Sequence, residues 1–323
     1  MKKSVKKLLV PVLMSVIVLM SACSSASESS NESTGQENSN DKLKIGLTVG
    51  TLANPFFVAM GKGAEEAGKE LGAEILVESA EYDLAKQTSQ IENFITKKVD
   101  VILLNAVDTK GIAAAVQQAK NAGIPVIAVD TNAEGGVDAT VTSDNYQAGQ
   151  LAGEYVVEQL NGKGNIVIID GPPVSAVTDR IQGFEDVIKE SGIKVVAKQN
   201  GEGNREKALS VMESILQANS SGSIDAVFAI NDPEAIGVEI ASEQAGRKDE
   251  FFIVGVDGAP EAAEAMAKEG SSIMATSAQS PSEMVKTAVG IGMKVKNGED
   301  VEELIKVPVE LVTQETLDSY KGW

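Results

Sequence analysis

Residues 99–130 read VDVILLNAVDTKGIAAAVQQAKNAGIPVIAVD, and their pattern decides the fold. Val101 to Leu104 is a short apolar run that ends at Asn105. Ile112 to Asn121 follows with helical spacing and closes on Gly123, a residue suited to the left-handed turn past a helix C-terminus. Pro125 then opens a second apolar run through Val129, which ends at Asp130. Strand, helix and strand in so short a span form the unit of a parallel sheet, joined by a right-handed crossover. Apolar runs that do not alternate with polar residues suit strands covered on both faces.

The same grammar extends in both directions. Lys44–Val49, Glu74–Val77, Asn165–Ile169, Lys194–Ala197, Ala226–Ile230 and Phe252–Val256 each predict a buried strand. Between them lie amphipathic stretches of helical length, such as Leu84–Lys97, where Leu84, Ile91 and Ile95 share one stripe. Pro233 and Pro281 stand where a first helical turn tolerates a missing N–H. The series is too long for one sheet, and a second set of units begins near Thr142-Ser143-Asp144-Asn145, after Gly135-Gly136. The expected architecture is therefore α/β, with two Rossmann-like lobes built on parallel sheets. Ala275–Ser280 and Val307–Leu311 read as further crossings between lobes, which would make a three-segment hinge, although periodicity alone does not fix that detail. The division that follows is 43–143 plus 280–307 for the first lobe and 144–279 plus 308–323 for the second.

Composition narrows the function. The 323 residues carry a formal charge of −19, and residues 1–22 contain four lysines and no acid, so the remainder is more acidic still. Such a surface repels phosphate backbones, which argues against nucleic-acid partners. Histidine is absent, which removes the commonest general base and metal ligand. The sole cysteine, Cys23, follows a lysine-rich start, the apolar run Leu8–Met20 and the small residues Ser21 and Ala22. Residues 1–22 thus read as a signal peptide, and Cys23 as a site of lipidation, palmitate included, at the outer face of a cell membrane. Residues 23–42 are nearly all Ser, Asn, Glu, Gln, Thr and Gly, a composition expected of a flexible tether.

Several expected strands end in a carboxylate or an amide: Asn105, Asp130, Asn231 and Asp257, with Asn54-Pro55-Phe56-Phe57 after the first strand. In open parallel sheets, ligands sit beyond the carboxyl ends of the strands. Singly, each such residue is a favoured helix N-cap. Together they offer acceptors and amide donors for vicinal hydroxyls, with phenylalanine rings for the C–H face of a sugar. No phosphate loop, dinucleotide fingerprint, nucleophile elbow or paired carboxylate spacing is present, so neither catalysis nor a cofactor is expected.

At these residues the chain resembles the ribose-binding protein family of type I periplasmic sugar-binding proteins, over roughly residues 43–312. The markers are Thr51-Leu52-Ala53-Asn54-Pro55-Phe56-Phe57, Leu103-Leu104-Asn105, Val129-Asp130, Ser143-Asp144-Asn145, Phe228-Ala229-Ile230-Asn231-Asp232, Val254-Gly255-Val256-Asp257-Gly258 and Ala278-Gln279. The resemblance implies a monomeric binding protein that closes its two lobes on a solute and delivers it to an ABC permease. It also implies that Asn54, Phe56, Phe57, Asn105, Asp130, Asn231, Asp257 and Gln279 contact that solute. Thr131 and Thr178 stand where ribose binders carry arginines, Gly50 where they carry serine, and Gly203 and Val256 where they carry aromatics. The buried carboxylates then need new partners, and Arg180 and Arg205 are the nearby cations in sequence. The cleft is expected to be larger unless another side chain fills it, which favours an aldose, ketose or polyol other than ribose. A sensory binding protein that presents a sugar-like signal to a membrane receptor or kinase is the alternative, and a carbohydrate-active enzyme a third.

Overall fold

The computed structural model describes residues 42–323, so the readings of a signal peptide, of lipidation at Cys23 and of a tether lie outside the described residues. In chain order the strands of the first sheet are β1 (Lys44–Val49), β2 (Glu74–Ser79), β3 (Val101–Leu104), β4 (Val126–Val129) and β5 (Ala139–Ser143). Those of the second are β6 (Lys163–Asp170), β7 (Gly192–Asn200), β8 (Ala226–Ala229), β9 (Phe252–Asp257) and β10 (Ile273–Ala278). Two late strands, β11 (Leu304–Val307) and β12 (Glu310–Thr313), add one to each sheet. The orders are β11-β5-β4-β3-β1-β2 and β12-β10-β9-β8-β6-β7. All pairings are parallel except β10 with β12. The two lobes therefore repeat one topology, with β4 of the first equivalent to β9 of the second and β3 to β8.

Helices cover both faces of each sheet. In the first lobe α1 (Pro55–Leu71) packs beside α9 (Pro281–Lys296), while α2 (Leu84–Thr96) and α3 (Ala113–Asn121) pack opposite. In the second lobe α4 (Asn145–Gln159) and α5 (Ser175–Lys189) cover one face, and α6 (Arg205–Ala218), α7 (Asp232–Gln244) and α8 (Pro260–Met266) the other. Local chemistry sets their ends. Asn54 caps α1 by accepting from the Phe56 N–H, Pro55 follows in the first turn, and Gly72 ends the helix at φ 66°. Gly123 sits at φ 77° just past α3, in the left-handed turn that its type allows.

Each lobe holds two apolar clusters, one on each face of its sheet. Val101, Leu103, Ile127 and Val129 point to one side and Ile102, Leu104, Val126 and Ala128 to the other, all fully buried. Burial on both faces is what makes these strands continuous apolar runs. The edge strands differ: β2 is only half-buried and β7 largely exposed, because each lacks a neighbour on one side. Two further differences from the sequence reading stand out. Ala139–Ser143 forms a strand although its threonines obscure the apolar run. Val307–Leu311 is not one extended piece but the passage from β11 to β12. The chain passes between the sheets after β5, after β10 and after β11.

Candidate functional site

The carboxyl ends of both sheets face one cavity with an empty volume of about 580 Å³, its mouth included. Asn54, Phe56, Phe57, Asn105, Asp130 and Thr131 line it from the first lobe, and Asn231 and Asp257 from the second. Equivalent elements supply equivalent groups: Asn105 follows β3 as Asn231 follows β8, and Asp130 follows β4 as Asp257 ends β9. Both aspartates have positive φ, 68° and 135°, a conformation that costs a side-chain-bearing residue roughly 1–3 kcal/mol.

Hydrogen bonds fix these groups. Asn105 accepts the Gly50 N–H at 3.0 Å through Oδ1 and donates to Asp130 Oδ2 at 3.0 Å through Nδ2. Its own carbonyl accepts from Gln87 Nε2 at 2.9 Å. Asn54 and Asn231 serve two purposes, since each caps a helix through Oδ1 while lining the cavity. Asn231 Nδ2 donates to the Gly203 carbonyl at 3.1 Å. Asp130 Oδ1 is buried and has no hydrogen-bond partner in the protein. A buried anionic oxygen left so is costly, and a donor from a ligand would satisfy it.

Arg180 is the cation that enters the cleft. It is buried on α5, donates Nε to Asn145 Oδ1 at 2.8 Å and Nη1 to the Ile230 carbonyl at 2.9 Å, and brings Nη1 to 3.8 Å from Asp257 Oδ1. Arg205 instead pairs with Glu261 at the surface. The single guanidinium does not offset the burial of two carboxylates. Burial pushes the Asp130 carboxyl up to about 6 against the pull of Arg180 and the Asn105 amide. Burial likewise raises Asp257, opposed by Arg180 and reinforced by the charge of Asp130.

Two expected site residues stand apart. Thr178 is exposed on α5, donates its hydroxyl to the Val174 carbonyl and does not line the cavity, because the helix turns positions 177 and 180 inward instead. Gln279 lies behind the wall, where its Nε2 donates to Asp257 Oδ1 at 2.7 Å, so it positions that carboxylate rather than facing the cavity. Val256 belongs to the second lobe's apolar core. Another side chain does occupy the space beside Gly50. Tyr82, which the sequence reading passed over, projects its ring against Gly50 and its hydroxyl towards Gly203. Val107, Pro172, Val174 and Val177 complete the apolar walls. Among the described residues no group of three or more Asp, Glu, Cys or His side chains is placed to hold a metal ion.

Residues 45–300 match the family model described as periplasmic binding protein domain. The chain belongs to that family. Among periplasmic binding proteins it is 35% identical to the ribose import binding protein of Bacillus subtilis (strain 168) over 281 residues, 86% of this chain and 90% of that one. It is also 35% identical to the D-apiose import binding protein of Actinobacillus succinogenes over 240 residues, 73% of this chain and 76% of that one. An ABC transporter solute binding protein from Bacillus halodurans C-125 with bound myo-inositol superimposes with a TM-score of 0.80 at 34% identity, covering 87% of this chain and 97% of that one. The resemblance drawn from the strand-tip motifs is thus borne out: this is a type I periplasmic sugar-binding protein of the ribose-binding kind.

Proposed function

We propose that this chain captures a cyclic polyol, a monosaccharide or a cyclitol, in the cleft between its lobes and delivers it to an ABC permease. The observation that carries the reading is the unpartnered Oδ1 of Asp130 inside a cavity lined by three asparagines, a second aspartate and an arginine. Hydroxyl groups both donate and accept, so adjacent ones can bridge carboxylate acceptors and amide or guanidinium donors. The Phe56 and Phe57 rings offer an apolar face for the ring carbons. Thr131 is short and neutral, and Tyr82 occupies the space beside Gly50, which supports a ligand other than ribose. The similar proteins named above are named for ribose or D-apiose or hold myo-inositol, which supports the class.

The lobes are drawn together in this structure. The Asn132 N–H, after β4, donates to Ser175 Oγ, at the start of α5, at 2.8 Å, and the Tyr82 hydroxyl approaches Gly203. Contacts from one ligand to both lobes exist only in such a closed form, so binding shifts the open–closed equilibrium towards it. Residues 43–143 with 280–307 and residues 144–279 with 308–323 are the two moving bodies in this reading. Lipidation at Cys23 would tether them at the outer face of the membrane, close to the permease.

Mass spectrometry of material that co-purifies, followed by calorimetry with D-ribose, D-allose, D-fucose and myo-inositol, tests the proposal. A cyclic polyol should bind in the micromolar range or tighter, with compaction in solution scattering. Binding of none of them, together with a co-purified compound that lacks vicinal hydroxyls, would overturn it.

A further inference from the structure

Tyr82 sits in the turn between β2 and α2, a place with unusual backbone. Glu81 and Tyr82 have φ of 53° and 54°, two consecutive side-chain-bearing residues in the left-handed region. Such strain persists only where surroundings enforce it, and it gathers at sites of function. Here the enforcement is explicit. The Ala80 N–H donates to the Val49 carbonyl at 2.9 Å, the Tyr82 N–H to the Gly50 carbonyl at 2.9 Å and the Asp83 N–H to the Ala80 carbonyl at 3.0 Å. The Glu81 carboxylate accepts from Ser79 Oγ and from Thr51 Oγ1. The turn is thereby locked to the loop that leads into Asn54.

The ring then fills a space left for it. A Cβ at Gly50 would lie 2.9 Å from Tyr82 Cε1, so a side chain at position 50 and the tyrosine ring cannot coexist without a shift. The hydroxyl lies 3.8 Å from where a Cβ on Gly203 would be, on the opposite lobe. Gly203 is itself clamped, its N–H donating to Glu234 Oε1 at 2.7 Å and its carbonyl accepting from Asn231. Tyr82 thus reaches from one lobe to a rigid stop on the other. The residue is 42% exposed and yet lines the cavity, as a wall with one face outward does. Burial, together with the charges of Asp130, Asp257 and Glu234, raises its pKa above the ordinary tyrosine value.

We propose that Tyr82 is a specificity-determining residue of the cleft, closing it between Gly50 and Gly203 and excluding polyols that carry a substituent in that direction. The inference rests on the reading that a cyclic polyol occupies the cavity. Its test compares the wild-type protein with Y82A, Y82F and Y82N, the last preferring the same left-handed backbone should Y82A unfold. Each is titrated calorimetrically with D-ribose, D-allose, D-fucose, myo-inositol and the methyl glycosides of the three sugars, with the ligand-free melting temperature as a control of folding.

Truncation should weaken the best wild-type probe by about ten- to a hundredfold and move the order of preference towards the methyl glycosides. Y82F should keep that order and lose roughly three- to tenfold, the share of the hydroxyl. G50A should weaken binding in the wild-type background and cost little in Y82A, because the ring it collides with is gone. An unchanged order of preference in both truncated variants, with affinities within about twofold of wild type, overturns the proposal. A wild-type protein that binds no probe and carries no polyol overturns the underlying reading as well, and so separates the two failures.

Discussion

Asp130 shows how one residue sets a property of the whole site. Its carboxyl is raised to about 6 by burial, and its Oδ1 awaits a donor. A ligand hydroxyl that donates to the carboxylate binds the ionised form. Affinity should therefore fall as the pH is lowered through about 6, while D130N should bind more weakly and show a smaller fall, the remainder coming from Asp257; calorimetry between pH 5 and pH 8 measures both. Stability follows the opposite sign. A folded pKa above the unfolded value means that the folded protein gains a proton more readily than the unfolded chain. Its stability should thus decline as pH rises from about 4 to about 6, by at most about 3 kcal/mol from this group. Arg180 is the complementary case. R180M would leave Asp257 without its cation and the Ile230 carbonyl without its donor, and should cost about 3–5 kcal/mol in chemical denaturation. T178A should leave affinity within about twofold, since Thr178 lies on the exposed side of α5 and does not line the cavity. The sequence carried a signal for that contrast. Val177, Ile181, Phe184 and Ile188 mark the inward face of α5, and Arg180 falls on that face while Thr178 does not. Motif alignment chose 178, whereas helical phase chooses 180.

At the scale of elements, the position of Arg180 depends on how closely α4 and α5 approach. A Cβ on Gly149 would lie 2.0 Å from the Arg180 carbonyl oxygen, and one on Gly183 2.1 Å from that of Tyr146. Because the obstacle is backbone, it cannot rotate away. G149A should therefore destabilise the protein by about 3 kcal/mol or more, seen as a lowered melting temperature, and weaken binding in the molecules that still fold. The strands of the core were legible because burial on both faces writes them as unbroken Val and Ile runs, as in Val101–Leu104. Ala139–Ser143 escaped because Thr140 and Thr142 broke its run, even though Thr142 turns its hydroxyl to the Asp130 carbonyl. The five strand-tip residues were legible for a related reason: a parallel sheet forces them to one edge, whatever else they do. Tyr82 was not, since its role comes from positive φ in a turn and from two glycines distant in sequence, neither of which periodicity reports.

Across the whole molecule, the lobes are joined by three passages of chain, and they also touch directly across the cleft. Removing the Ser175 hydroxyl deletes the hydrogen bond to Asn132 across the cleft. S175A should weaken ligand binding by roughly two- to tenfold, the worth of one such bond, and enlarge the radius of gyration of the ligand-free protein. A last feature spans the same divide. Trp323, the single tryptophan of the chain, sets its ring edge-to-face with Phe56 at 6.1 Å and donates its indole N–H to the Asp257 carbonyl at 2.8 Å. Phe56 rides on the first lobe and Asp257 on the second, and both border the cavity. The protein consequently carries its own optical gauge. Parting of the lobes would strip the indole of one neighbour and wet it, shifting its emission to longer wavelength, and solute uptake would reverse the change without any attached dye.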